Sequence, residues 1–424
     1  MTRSLVSDSY AFSIIPPLES AALPTMAGKF SRQNHVMRCL APLGASCNDL
    51  SPKIISTVSR GRVCTIQPPT HTQPLYSLVI TPANIFTMPV PFSFAAPCYD
   101  RMVPLATGEV RPAGLDLNFV EVQHPRDVFD RMVRNGEFDA SELSSSEFIT
   151  RHVAGDRTFT AVPAFPLRTF RHGYIVVNTD RIKSPADLSG KRIGVQLYTM
   201  TAAVWIRGLL MHEYGVDLSS ITWIEGRMDA PGAHGKPSVL IRREGDKPLA
   251  NIEKNNSGKS LNQLLADGEI DATIGAEVPS CLWDNEKAPH IQRLFPNYKE
   301  AEKEYYRKTG IFPIMHLVAI RREVYDQHKW IATSLFQALN ESKELVRKRT
   351  YMPGMIRCML PWLREALEET VEVFGEDCWP YGIEKNRKTL EALVQYLYEQ
   401  GMIERVVPVE ELFAPVQEAP FVIH

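Results

Sequence analysis

Asn135-Gly136-Glu137-Phe138-Asp139-Ala140 is the stretch that decides the fold, because Asp267-Gly268-Glu269-Ile270-Asp271-Ala272 repeats it in outline. Each copy follows a segment with apolar residues at helical spacing, and each leads into a short apolar segment typical of a strand. The glycine suits the left-handed position that ends a helix. Two such helix–turn–strand units predict two α/β lobes of related design.

The segments around the two copies extend this pattern. Residues 125–135, with Pro125 at the start, predict an amphipathic helix, and residues 92–95 and 117–122 predict strands. Residues 199–214 predict a strong helix after a buried strand, and the junction between them lies where an open α/β sheet binds ligands. Three more helices are predicted, over residues 325–349, 355–373 and 386–400.

Composition narrows the classes of function. The 424 residues suit two or three domains, and a formal net charge of −2 provides no basic field for a nucleic acid or an anionic membrane. The chain contains no run of 18 apolar residues, so no membrane span is predicted. Seven scattered cysteines without a CxxC pair favour a reducing compartment. We therefore expect a cytoplasmic protein.

Residues 1–91 differ in composition from the rest of the chain. They are rich in proline, serine and threonine, they are poor in acidic residues, and they show no sustained helical or alternating period. This pattern predicts a disordered N-terminal extension, or residues translated from a doubtful start site. A mitochondrial transit peptide is the alternative, although the amphipathic arginine stripe of such peptides is missing.

Seven motifs carry a family resemblance. In chain order they are Tyr99-Asp100-Arg101 with Pro104-Leu105, Phe165-Pro166-Leu167-Arg168 with Phe170-Arg171-His172, Met200-Thr201-Ala202-Ala203-Val204-Trp205-Ile206-Arg207-Gly208, Gly310-Ile311-Phe312-Pro313-Ile314-Met315-His316, Leu360-Pro361-Trp362, Trp379-Pro380-Tyr381-Gly382 and Asn386-Arg387-Lys388-Thr389-Leu390. In this order they resemble the 4,5-dihydroxyphthalate decarboxylase family, from about residue 93 to 415.

The resemblance implies a two-lobed α/β fold of the type 2 periplasmic-binding-protein kind, with additional C-terminal helices. The first part of lobe 1 is expected over residues 92–178 and lobe 2 over 179–310. A return to lobe 1 with the C-terminal helices is expected over 311–415, followed by a tail at 416–424. The implied activity is conversion of 4,5-dihydroxyphthalate to protocatechuate and CO2, without a cofactor. The serine-rich stretch at 141–146 departs from the family pattern and leaves the ring substituents open.

Chemistry defines what such a site needs. Direct loss of CO2 would leave an in-plane carbanion that the ring π-system cannot delocalise, so the ring carbon must be protonated first. The site therefore needs a general acid, an acceptor for the para hydroxyl proton and cations for a carboxylate. Arg168, Arg171 and His172 lie within five residues before an apolar strand, and the two guanidinium groups suit a carboxylate. The alternative is a surface arginine pair beside an exposed histidine.

The other candidates lie at predicted strand ends. With His172, the candidates for acid–base chemistry are His316, which precedes an apolar strand, and Glu277, which follows one. Ser280 is a further candidate for binding substrate. At the predicted helix starts, five residues could bind an anion through free backbone N–H groups or could act only as caps: Ser144, Ser145, Thr199, Met200 and Thr201.

Other classes of site and partner receive less support. The eleven histidines show no His-x-His, HExxH or paired cysteine spacing, so no catalytic metal is predicted. The rival functions are a non-catalytic binding protein for an aromatic acid and a thiamine-pyrimidine-type synthase, whose clustered cysteine motif this chain lacks. The expected partner is a small aromatic dicarboxylate, not a nucleic acid or a membrane, and a homo-oligomer is left open.

Overall fold

The computed structural model describes residues 88–235, 250–284 and 286–418. The predictions for residues 1–87 and 419–424 lie outside these ranges. Within them the chain forms eleven strands: β1 (Val90–Ala96), β2 (Leu115–Glu121), β3 (Ala140–Ser144), β4 (Phe159–Val162), β5 (Val176–Asn178), β6 (Arg192–Val195), β7 (Thr222–Glu225), β8 (Asn251–Lys254), β9 (Ala272–Ile274), β10 (Ile291–Arg293) and β11 (His316–Arg321).

The same ranges contain ten α-helices: α1 (Val103–Ala106), α2 (Pro125–Asn135), α3 (Ser145–Val153), α4 (Thr201–Tyr214), α5 (Leu261–Ala266), α6 (Tyr298–Thr309), α7 (Arg322–Gln327), α8 (Trp330–Thr350), α9 (Leu363–Phe374) and α10 (Arg387–Glu399). None of the helices in the described ranges is both long and apolar enough to cross a bilayer.

The strands form two sheets, one for each lobe. The sheet of lobe 1 has the order β2-β1-β3-β11-β4, and the sheet of lobe 2 has the order β10-β5-β9-β6-β7-β8. In lobe 1, β1 pairs in parallel with β2 and β3, while β11 runs antiparallel between β3 and β4. The chain thus leaves lobe 1 after β4 and returns to it in β11. The predicted two-lobed α/β architecture is confirmed.

The repeated stretch ends a helix in both lobes, as predicted. Gly136 follows α2 with a φ of 56°, and Gly268 follows α5 with a φ of 73°, so both have the left-handed conformation that glycine adopts without strain. Each turn leads into a strand of its sheet, β3 in lobe 1 and β9 in lobe 2. The two turns therefore occupy corresponding places in the lobes.

Two predicted boundaries need correction. The strand Val176–Asn178 was assigned to lobe 1, but it pairs with β9 and β10 in the sheet of lobe 2. An apolar run marks a buried strand but does not say which sheet the strand joins. The helix predicted from residue 355 begins at Leu363, because Pro361 disfavours a helical conformation in the residue before it.

Helix α4 follows a strand of lobe 2 but is bonded to lobe 1. The Trp205 indole donates a hydrogen bond to the Ile314 carbonyl at 2.8 Å, and the fully buried Arg207 donates to Gln400 Oε1 at 2.8 Å. Buried hydrogen bonds of this kind are costly to break because the separated groups lose their partners. Helix α4 is therefore held against lobe 1, and this fixes the position of the cleft residues that it carries.

Candidate active site

A cavity of about 440 Å³ lies between the lobes. Lobe 1 contributes Phe129, Leu167, Met315 and His316 to its wall, and lobe 2 contributes Tyr174, Gln196, Thr199 and Glu277. Ligand sites for small molecules are about 300–1,000 Å³ and combine an apolar wall with a few polar groups. The volume and the lining therefore suit a single-ring ligand with several polar substituents.

His316, the first residue of β11, lines this cavity, and two neighbouring side chains position its imidazole ring. Its Nδ1 contacts Oε1 of Glu142, a fully buried residue of the neighbouring strand β3. The Phe129 ring packs edge-to-face against the imidazole, with centroids 4.9 Å apart. Because Nδ1 is engaged with the carboxylate, Nε2 is the ring nitrogen that remains for a ligand in the cavity.

Arg171 also lines the cavity and is 5% exposed. Its guanidinium lies 4.6 Å from the centre of the Tyr174 ring, and its buried Nε has no hydrogen-bond partner among the described residues. Burial lowers the pKa of the group to about 10, so the cation is held in a poorly solvated place. An anion in the cavity would relieve that cost.

Arg168 lines the cavity too, but it is engaged by the C-terminal region. Its Nη2 donates to Asn386 Oδ1 and, at 3.3 Å, to the Pro380 carbonyl, and its guanidinium lies 5.4 Å from the centre of the Phe312 ring. Burial lowers the pKa of this guanidinium to about 10 as well. Arg168 therefore connects the cavity wall to the C-terminal helices, and Arg171 is the less engaged of the two cations.

His172 is absent from the residues that line the cavity. It is buried among the rings of Tyr214, Phe295 and Tyr305, with centroids 5.3 to 6.4 Å away. Burial lowers the pKa of its imidazole to about 4, so the ring is neutral near pH 7. Glu302 Oε1 lies 3.9 Å from Nδ1. The structure thus places this histidine, predicted for acid–base chemistry, in an aromatic packing cluster beside Arg171.

The predicted helix starts meet across the cleft. Ser144 Oγ lies 2.9 Å from Thr201 Oγ1, and the backbone N–H of Ser146 donates to the same Thr201 oxygen at 3.1 Å. Ser146 also donates to the Thr199 carbonyl at 2.7 Å. Ser144, Thr199, Met200 and Thr201 line the cavity. The hydroxyls of Ser144, Ser146 and Thr201 bond one another, so the two helix starts form a polar junction between the lobes.

Ser145 lies behind this junction. It is 1% exposed, its backbone N–H donates to the Met315 carbonyl at 3.1 Å, and its Oγ has no partner among the described residues. It is absent from the residues that line the cavity. Phe312 does not line the cavity beside Met315, and its ring stacks on that of Phe170, with centroids 4.8 Å apart.

Glu277 lines the opposite side of the cavity, on lobe 2. Gln196 Nε2 donates to its Oε2 at 3.0 Å, and Gln196 Oε1 accepts from the Ala276 backbone N–H at 3.1 Å. The amide of Gln196 therefore orients the carboxylate and leaves Oε1 of Glu277 for a ligand. Ser280 is exposed outside the cavity wall, and its backbone N–H donates to Asp229.

Sequence reasoning missed several polar residues in or behind the cavity wall, among them Glu142 and Gln196. Glu142 lies inside the serine-rich stretch at 141–146, and its partner His316 is 174 residues away in the sequence. Gln196 lies at the predicted junction between a buried strand and the helix over 199–214, where an open α/β sheet binds ligands, and this position was the available signal. Among the described residues, no group of three or more metal-ligating side chains is placed to hold an ion.

Comparisons with known proteins identify the family. A model of the NMT1/THI5-like family matches residues 111–236. The 4,5-dihydroxyphthalate decarboxylase of Comamonas testosteroni is 37% identical over 78% of this chain and 98% of its own, and that of Pseudomonas putida is 37% identical over 51% of this chain and 81% of its own.

Among solved structures, a periplasmic sulfonate-binding protein from Methylobacillus flagellatus matches 77% of this chain and 91% of its own, at 14% identity and a TM-score of 0.46. The family indicated by the seven motifs is confirmed by the relative of which 98% is matched. The chain belongs to the 4,5-dihydroxyphthalate decarboxylase family.

Proposed function

We propose that this protein is a carboxy-lyase that converts 4,5-dihydroxyphthalate to protocatechuate and CO2 in the interlobe cavity. The two relatives named above carry this activity in their names. The observation that carries the proposal is one cavity wall that combines the little-engaged cation of Arg171 with His316, whose Nδ1 is engaged by a buried carboxylate.

The substrate would bind through the carboxylate that stays on the ring throughout the reaction. Arg171 holds the carboxylate that is retained, because a cation on the leaving carboxylate would stabilise the ground state more than the transition state. The departing carboxylate faces the apolar wall formed by Leu167 and Met315. As CO2 forms, its negative charge moves into the ring, so an apolar neighbour favours that step.

The proton steps balance between two groups. His316 gives a proton from Nε2 to the ring carbon that carries the leaving carboxylate, while Glu277 accepts the proton of the para hydroxyl. The ring is then a cyclohexadienone. The carbon–carboxylate bond breaks, its electron pair restores the aromatic ring, and Glu277 returns its proton to the para oxygen. One proton is consumed in each turnover, and solvent supplies it to His316.

A turnover assay tests the proposal. Purified full-length protein, incubated with 4,5-dihydroxyphthalate under nitrogen, should release one CO2 for each protocatechuate formed. Phthalate without hydroxyls should not react, because it has no para oxygen that can donate electrons to the ring when the ring carbon is protonated. Binding of 4,5-dihydroxyphthalate without release of CO2 would contradict the proposal and would favour a non-catalytic binding protein of the same fold.

A further inference from the structure

Glu142 is a buried carboxylate with an incomplete set of partners. It is 0% exposed in β3, opposite Val318 of β11. Its Oε1 accepts a hydrogen bond from the Tyr99 hydroxyl at 3.1 Å and contacts His316 Nδ1, while its buried Oε2 has no partner among the described residues. A carboxylate buried in this way costs folding free energy unless a cation compensates it. Packing alone therefore does not account for this residue.

His316 is the one basic side chain within 4 Å of the Glu142 carboxylate in the described part of the chain. Arg101 lies near Tyr99, with its guanidinium 4.3 Å from the centre of the ring, but it donates to the Pro166 carbonyl. The charge of Glu142 is thus directed at the imidazole of His316. A carboxylate on one ring nitrogen of a histidine sets the tautomer and orients the ring.

Tyr99 acts on the same carboxylate oxygen. Burial and the negative charge of Glu142 raise the pKa of its phenol far above the usual value, so its hydroxyl remains a donor. A donor that is always present fixes Oε1 of Glu142 in place. Oε1 can then engage His316 Nδ1 only when that nitrogen carries a hydrogen.

We propose that Glu142, fixed by Tyr99, is a positioning residue that keeps His316 Nδ1 protonated and leaves Nε2 as the atom that gives a proton to the ring carbon. The inference deepens the proposed function and rests on it for the identity of the proton acceptor. After transfer, His316 is a neutral imidazole with hydrogen on Nδ1, and it takes its next proton at Nε2. Oε2 of Glu142, which has no hydrogen-bond partner among the described residues, takes no part in the proton transfer.

The tautomer of His316 can be measured without substrate. In full-length protein labelled with ¹⁵N-histidine, the signal of His316 is the one lost in H316N. The wild-type signal should report hydrogen on Nδ1 in the neutral ring. In E142L no acceptor faces Nδ1, so the form with hydrogen on Nδ1 should no longer dominate. Retention of the Nδ1–H form in folded E142L would overturn the proposal.

Kinetics give the second readout. E142L should lower kcat by about 10²–10⁴, the range for a lost acid or base, with KM within about threefold, because Glu142 does not touch the substrate. Should E142L not fold, Y99F decides: it should lower kcat by about tenfold, as the loss of one supporting hydrogen bond does. Y381F is its matched control, since the buried Tyr381 hydroxyl has no partner among the described residues. Equal kcat values for Y99F and Y381F would overturn the part assigned to Tyr99.

The two proposals fail in different ways. If wild-type protein does not decarboxylate 4,5-dihydroxyphthalate but E142L still shifts the tautomer, the function is wrong and the positioning of His316 stands. If wild-type protein is active and E142L loses activity while His316 keeps hydrogen on Nδ1, the positioning is wrong and the function stands.

Discussion

Replacement of Arg171 by alanine tests how the cavity divides the two carboxylates of its substrate. The guanidinium is buried, contacts the Tyr174 ring at 4.6 Å and has no partner at Nε among the described residues. Its removal therefore leaves few protein groups unpaired. The loss of ligand affinity in R171A should come mainly from the bound carboxylate, and the fold should be retained.

The structure sets the scale of the effect. Burial lowers the pKa of the Arg171 guanidinium to about 10. At 1.36 kcal/mol for each pH unit, this corresponds to about 3 kcal/mol against the charged form. A bound carboxylate offsets that cost, and truncation of one partner of a buried charge pair costs about 2–5 kcal/mol. Affinity should thus fall by about 30- to 5,000-fold in R171A.

Inhibition by the product distinguishes the two carboxylates. Protocatechuate carries only the retained carboxylate, so R171A should weaken its inhibition constant about as much as it weakens substrate binding. R171K keeps the charge but loses the two-pronged contact, and it should lie between R171A and wild type. Unchanged affinity for protocatechuate, together with lost affinity for 4,5-dihydroxyphthalate, would place Arg171 at the leaving group and refute the reasoning.

Three further predictions concern neighbouring residues. H316N, which is near-isosteric, should lower kcat by about 10²–10⁴ with the fold intact, and a rate within about threefold of wild type would end the catalytic assignment of His316. R168M should lower the free energy of unfolding by about 1–3 kcal/mol in denaturant titrations, because it leaves the buried Asn386 Oδ1 without its donor; an unchanged midpoint would argue against this. Burial raises the pKa of the Glu302 carboxyl to about 7, so the stability linked to its neutral form is complete below about pH 4 and is lost as the pH rises through about 7. Relative to wild type, the free energy of unfolding of E302Q should therefore rise by up to about 3 kcal/mol between about pH 5 and 8. A difference in unfolding free energy between E302Q and wild type that is the same at both ends of this range would contradict the prediction.

Local features of the fold could be predicted from the sequence. Helix α2 has the predicted bounds, because Pro125 suits the first helical position and Gly136 suits the left-handed residue that follows the end. The spacing of apolar residues along such a helix, and the residues that begin and end it, depend only on neighbours in the sequence. The choice of sheet for Val176–Asn178 depends instead on partners far along the chain, so it could not be predicted.

The site shows the same division. Arg171 and His172 are adjacent in sequence, but only Arg171 lines the cavity, and the direction of each side chain depends on how the turn between the lobes is packed. Glu142 could not be assigned because its partner His316 comes from a strand that returns from the other lobe. Residue types and strand ends indicated the region of the site, whereas the pairing required the three-dimensional structure.

Turnover in D2O tests most directly the claim that this cavity protonates the ring and releases CO2. Wild-type protein with 4,5-dihydroxyphthalate should yield protocatechuate with one deuterium at the carbon that lost the carboxylate, and H316N should form the same labelled product about 10²–10⁴ times more slowly. Bound substrate that is recovered intact, or H316N that forms labelled product at the wild-type rate, would contradict the account.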